Sequence, residues 1–337
     1  MKDRHRYCRR AKACTDTAGF TLVELLVAMA VFSILGLVLA MFMSTTTEMF
    51  RVNSARRSAF STASAVLSQM EADLVQAYLA PGDRNPDVDV RLRAFVDNSG
   101  NSRIAFVALS PNPGDSMADL GMREIGWYLD TSAGFPYTLR RNMSLAVGAD
   151  DGVIETLDAP DSWPEFADMI GHFSVSFIPD TTSLVDEGIT FSPQELEEGF
   201  PMWDSTRGLD PDFPLFRDNS EENPWDDILP VRAIITVTII PENGMIAFIT
   251  EDLDANGTNM KVNTTEGFPP PASPVESFLF SQREWMFYSA LDDESFSVTE
   301  RGARGTSPMP HSRSTRVVAG YSFVRTVALP CHGKAVR

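Results

Sequence analysis

Apolar positions fall into three successive patterns along this chain. From Phe20 to Met43 almost every residue is apolar, and Glu24 is the only charge among 24 residues. As helix, that run is about 36 Å long, enough to cross a hydrocarbon core. After Val52 the apolar residues thin to one stripe, Ala59/Phe60, Ala63, Val66/Leu67, Met70, Leu74 and Ala77/Tyr78. They recur at three- and four-residue spacing, with Arg51, Arg56, Arg57, Glu71 and Asp73 largely between them, as in a helix that lies on a core. Pro81-Gly82 ends the pattern. It predicts one helix from about Phe20 to Leu79, about 90 Å long, with an apolar half (20–43) and an amphipathic half (44–79). The alternative is two helices broken at Ser44-Thr-Thr-Thr47, although a β-branched run is only mildly unfavourable in a helix.

Beyond Pro81 the period changes to that of strands. Arg91–Val96, Arg103–Leu109, Arg123–Leu129 and Tyr137–Arg141 are short alternating or apolar runs between Gly, Pro, Asn and Asp clusters. His172–Ile178 places Phe173, Val175 and Phe177 on one face, and Val231–Ile240 is rich in Ile, Val and Thr. Pro241-Glu-Asn-Gly244 then suggests a hairpin to Met245–Thr250. Val317–Leu329 reads as a strand pair or one long strand. The fold class is therefore α+β, a long N-terminal helix packed on an antiparallel β-sheet domain over 80–337. Within that domain 180–230 and 252–310 read as long loops, the latter with an aromatic segment, Phe278–Tyr288, suited to a short helix.

Charge divides the chain at the apolar run. Residues 1–19 hold six basic and two acidic residues, net +4, and the remainder holds 22 basic and 44 acidic, net −22. Basic residues beside a first apolar helix keep that side in the cytoplasm, which puts everything after Met43 on the far side of the membrane. An ectodomain this acidic repels phosphate backbones, so nucleic acid is not an expected partner. Cys8 and Cys14 precede Gly19 and only Cys331 follows it, so a chain cut after Gly19 has no internal disulfide.

The string Gly19-Phe-Thr-Leu-Val-Glu24, behind a basic leader, resembles the class III signal of type IV prepilins and type II secretion pseudopilins. The resemblance implies cleavage between Gly19 and Phe20 by a prepilin peptidase, N-methylation of Phe20, and a role for Glu24 in assembly with other pilin subunits on an inner-membrane platform. Further on, Leu67–Gln76, Trp127-Tyr-Leu-Asp130, Leu139-Arg-Arg141 and Leu229-Pro-Val-Arg-Ala-Ile234 resemble the J-type minor pseudopilins. The chain is also similar to prepilin-like "cassette C" proteins. A minor subunit at the tip of a pseudopilus or pilus-like filament is the function so implied. The alternative is a membrane-anchored extracytoplasmic binding module that uses this N-terminus for export. A secretory signal peptide cut after Ala28-Met29-Ala30 would leave only the eight-residue stretch Phe20–Val27 as its hydrophobic region, and a plain anchor explains neither Gly19 nor Glu24.

Each chemical candidate has a plainer counterpart. Gly19 lacks the Cβ that would obstruct a protease cleft. Thr21-Leu-Val-Glu24 fits a capping box, so Glu24 serves the helix start whatever else it does. Asp252, Asp254 and Asn256, with Gly257, repeat the opening of a Ca²⁺ loop, but position 12, which needs a bidentate Glu, is Asn263. Calcium is thus a candidate with an incomplete ligand set, and no other cofactor is implied. The remaining histidines, His172, His311 and His332, accompany no nucleophile motif, and no enzymatic activity is expected. Asp226-Asp227 and Glu221-Glu222 read as solvated acids, and Trp203 and Trp225 as either a satellite core or partner anchors.

Overall fold

The computed structural model describes residues 21–78, 92–109, 121–145, 147, 152–154, 156–157, 160, 163–179, 192–204, 230–242, 245–269, 271 and 277–330. The chain divides into two compact units, one ending at Arg51 and the other beginning at Val52. A single helix, α1 (Leu22–Val75), passes through the division. The hydroxyls of Thr45, Thr46 and Thr47 donate to the carbonyls of Met41, Phe42 and Met43, at 3.0, 2.7 and 2.8 Å. The β-branched run thus bonds back into the helix and does not break it. Gln76 and Ala77 tighten its end by donating to the carbonyls of Asp73 and Leu74. The helix stops four residues short of the predicted Leu79 because the backbone of Gln76–Tyr78 turns to pair with Val107–Leu109.

In the second unit, Ala59, Ala63, Val66, Leu67, Met70 and Leu74 of α1 are buried in the main core. That core is one face of an eight-stranded antiparallel sheet. Its strands are β1 (Leu92–Val96), β2 (Ser102–Leu109), β3 (Met122–Asp130), β4 (Tyr137–Ser144), β5 (Glu165–Pro179), β6 (Trp203–Asp204), β7 (Pro230–Ile239) and β14 (Tyr321–Ala328), in the order β14-β7-β5-β4-β3-β2-β1-β6. A short helix, α2 (Pro193–Glu198), precedes β6. Alternation places Ile104, Phe106, Ile125, Trp127, Phe173, Val175, Ile235 and Val237 in this core. On the reverse face, Val153, Ile154, Leu157 and Trp163 close a smaller core over Ala105, Val107 and Tyr128.

The remaining strands build a second sheet, which corrects the reading of 252–310 as a loop. They are β8 (Ile246–Phe248), β9 (Asn259–Lys261), β10 (Phe278–Ser281), β11 (Glu284–Asp292), β12 (Ser295–Ala303) and β13 (Arg316–Ala319), in the order β8-β13-β10-β11-β12-β9. Its edges meet where Ile249 bridges Val262, Thr250 donates to the Lys261 carbonyl and Asn263 donates to that of Phe248. The sheet so closes into a small barrel around Leu279, Met286, Tyr288, Phe296, Val298 and Val317. Phe278–Tyr288, expected as a helix, is the β10–β11 hairpin, since alternate residues Leu279, Met286 and Tyr288 face this core. The β7–β8 hairpin expected around Asn243-Gly244 does not form either. β7 pairs with β5 and β14, β8 pairs with β13, and Asn243-Gly244 itself lies outside the described residues.

The two sheets share the chain at Gly320, between β13 and β14. A Cβ there would stand 2.7 Å from Ile240 and Thr238 side-chain atoms. Val317–Leu329 is therefore two strands in different sheets. Ile240, Phe280, Trp285, Ala303 and Val318 form an apolar seam between them.

Candidate functional site

The signal-like stretch is described from Thr21 onward, and the expected cleavage and methylation positions Gly19 and Phe20 lie outside the described residues. The capping box is complete. The Thr21 N–H and hydroxyl both donate to Glu24 Oε2 at 2.9 Å, and the Glu24 N–H donates to Thr21 Oγ1 at 3.2 Å. Thr21 and Glu24 lie on the same side of the expected cut, so this cap is compatible with both the intact and the cleaved chain. Glu24 also lies beside a shallow apolar groove that runs past Val23, Val27, Ala28 and Val31 to Leu35. Around it, every large side chain from Leu22 to Met43 is exposed, Phe32 by 79%. The helix is long and apolar enough to cross a membrane. An all-round apolar surface is covered by lipid or by other helices, not by water.

In the second unit a polar lock fixes α1 to the sheet. Asp73, buried in the main interface, accepts from the Trp127 indole at 3.0 Å and from Arg141 Nε and Nη2 at 2.8 and 2.9 Å. Gln69 donates to the same carboxylate at 2.9 Å. A bidentate guanidinium and an indole N–H fix both position and rotation of the helix about this point. Arg123 on β3 donates to Gln76, and Arg325 on β14 donates to Glu71. The sequence strings Leu67–Gln76, Trp127–Asp130 and Leu139–Arg141 thus converge on one cluster, although no local signal pairs Asp73 with Arg141.

The calcium candidates are arranged otherwise. Asp252 Oδ1 accepts from the Arg313 N–H, and the carbonyls of Asp254 and Gly257 accept from Arg301 Nη1 at 2.7 and 2.9 Å. Among the described residues no three His, Cys, Asp or Glu side chains gather as a metal set. Beneath the loop, Glu284 is fully buried and accepts from Arg301, His311 and the N–H groups of Gly302 and Met309. Burial works to raise the Glu284 carboxyl, but the His311 and Arg301 bonds and the two N–H donors outweigh it and hold it down to about 2. Sequence reading missed this cluster because its members are 17 and 27 residues apart on separate elements.

Two further candidates resolve as parts of the interior. His172, on β5, is buried near Trp285, and burial together with the Arg304 charge lowers it well below the ordinary histidine value. Arg304 lies over the rings of Phe278 and Trp285, at 3.9 and 4.6 Å, and donates to the hydroxyls of Thr238 and Ser322. Its backbone carbonyl approaches Gly100 so closely that a Cβ there would stand 1.8 Å from it. Trp203 is core, tilted against Phe177 at 5.8 Å. Trp225, Glu221-Glu222 and Asp226-Asp227 lie outside the described residues.

Comparison with known proteins bears on the N-terminal helix. Residues 15–40 match the prokaryotic N-terminal methylation motif. The methylation motif thus spans Gly19, Phe20, the capping box and most of the exposed apolar half of α1. Curated proteins gave no match. Among solved structures the chain is similar to a type IV-like pilin from Thermus thermophilus, at 10% identity and a TM-score of 0.31. That alignment covers 80% of this chain and 95% of the other, a likeness too slight to argue from.

Proposed function

We propose that this protein is a pilin-like structural subunit, cut by a prepilin peptidase between Gly19 and Phe20, methylated on Phe20, and assembled through α1 into a pseudopilus or related filament. The observation that carries the reading is the methylation motif at 15–40 running without a break into a capped, wholly exposed apolar helix. Before assembly that helix is the membrane anchor, with its basic leader in the cytoplasm and the acidic sheets outside. After assembly the same surface is the packing face between subunits. Glu24 then meets the new N-terminal amine of a neighbour, and an acid within an apolar bundle fixes axial register because only one stagger neutralises it.

A minor role near the filament tip suits the ectodomain. A second closed sheet added to the first makes a bulky, acidic body, and repeating it at every subunit of a tight helical lattice would place like charges and large volumes side by side. The test is N-terminal mass spectrometry on protein from a host that has the peptidase. A mature terminus at N-methyl-Phe20 is expected, and an intact leader overturns the proposal.

A further inference from the structure

The loop that reads like the opening of a calcium site already holds a cation, and it is covalently part of the chain. A guanidinium has five N–H groups, and all five of Arg301 are satisfied. Nε donates to Glu284 Oε1 at 2.7 Å, Nη1 to the carbonyls of Asp254 (2.7 Å) and Gly257 (2.9 Å), and Nη2 to Glu284 Oε2 (2.9 Å) and the Met309 carbonyl (2.7 Å). One carboxylate and three carbonyls, five oxygens on four separate residues, thus converge on a single charge whose side chain is only 8% exposed. We infer that Arg301 is the resident cation of the 252–257 loop. It does the organising work that a divalent ion performs in loops of this pattern, so the ectodomain folds without calcium.

The chemistry supports a guanidinium in this place over a metal. A planar fork of donors meets the carbonyls of Asp254, Gly257 and Met309 at hydrogen-bond distance without drawing them to the 2.3–2.6 Å that calcium requires. Asp252, the first ligand position of the pattern, accepts from the Arg313 N–H. His311, the other side-chain donor to Glu284, is itself anchored through Ser281 at 3.4 Å, and Ser281 in turn donates to the Arg316 carbonyl. Arg301 on β12 and Glu284 on β11 therefore tie the 254–257 turn and the 309–311 segment together.

The test uses the full chain in detergent micelles and reads thermal unfolding. Wild-type protein is expected to melt at the same temperature in millimolar Ca²⁺ and in EDTA. Arg301→Ala is expected to lower the melting temperature by about 6–15 °C, and Arg301→Lys to recover little of that, since an ammonium has three donors at one point. Methylguanidinium in the millimolar range should restore part of the loss in Arg301→Ala, and methylammonium should not. A wild-type melt that shifts with EDTA or Ca²⁺, an Arg301→Ala melt equal to wild type, or equal recovery by methylammonium would each overturn the inference. Where Arg301→Ala does not fold, the Ca²⁺ and EDTA arms on the wild type and the Arg301→Lys melt decide it by the same outcomes.

Discussion

The two halves of α1 are one continuous helix under opposite conditions. In the stretch Leu22–Met43 every large side chain faces outward, and Phe32 is 79% exposed, whereas Val66, Met70 and Leu74 are 0% exposed against the eight-stranded sheet. The difference is one of partners. The distal half has its partners in the same chain, and its position is set by apolar contact and by the Asp73 carboxylate. The proximal half is exposed along its length, and an apolar surface of this kind is covered by lipid or by other helices. The proposed exchange of membrane for filament suits this arrangement, because a part that changes environment must contribute nothing to holding the β-sheet unit together.

The largest test of that contrast is Asp73→Ala. It leaves Arg141 and the Trp127 indole without their acceptor, and unfolding of the full chain in micelles is expected to lose about 3–5 kcal/mol. A loss below about 1 kcal/mol would mean that the lock does not hold the distal half. Next in size is Met70→Ala, where a cavity in the core should cost about 2–5 kcal/mol, against a change within about 0.5 kcal/mol for Leu35→Ala on the exposed half. Equal effects at the two positions would erase the comparison.

Acid separates the ectodomain from the helix by another route. The Glu284 carboxyl sits at about 2 in the folded protein against an ordinary 4.5. Its contribution is therefore complete above about pH 4.5 and is lost as pH falls from there toward 2. Melting temperatures measured across that window should fall steeply in wild type and less steeply in Glu284→Gln. The smallest effect on stability belongs to Glu24. Glu24→Gln and Glu24→Ala should leave the ectodomain melt unchanged while reducing incorporation into filaments. Normal incorporation of both would reduce Glu24 to its capping role.

Much of this was legible in the chain because it depends on local period and local chemistry. The apolar run, the stripe at three- and four-residue spacing, the capping box at Thr21–Glu24 and the strands over Arg91–Arg141, His172–Ile178 and Val231–Ile240 are all repeated at short range, where backbone geometry alone sets which residues share a face. The second sheet was hidden for the converse reason. Its strands β8 and β9 are three residues each, too short for a period to show, and β8 pairs with β13 some seventy residues later. The Asn-Gly signal at 243–244 is a local turn preference, whereas β8 joins β13, with Ala247 packed among Val317 and Ala319 in the barrel core.

The sequence by itself determined that a helix long and apolar enough to cross a membrane, with a methylation motif, leads an acidic α+β region, since length, hydropathy and charge asymmetry are properties of consecutive residues. Only the tertiary structure decided that Asp73 meets Arg141, that Arg301 meets the carbonyls of Asp254 and Gly257, and that the strands within 252–310 join a second sheet. Hydrogen bonds and ion pairs of this kind join residues whose separation along the chain carries no signal. They form only where packing has already brought their backbones together and excluded the water that would otherwise compete.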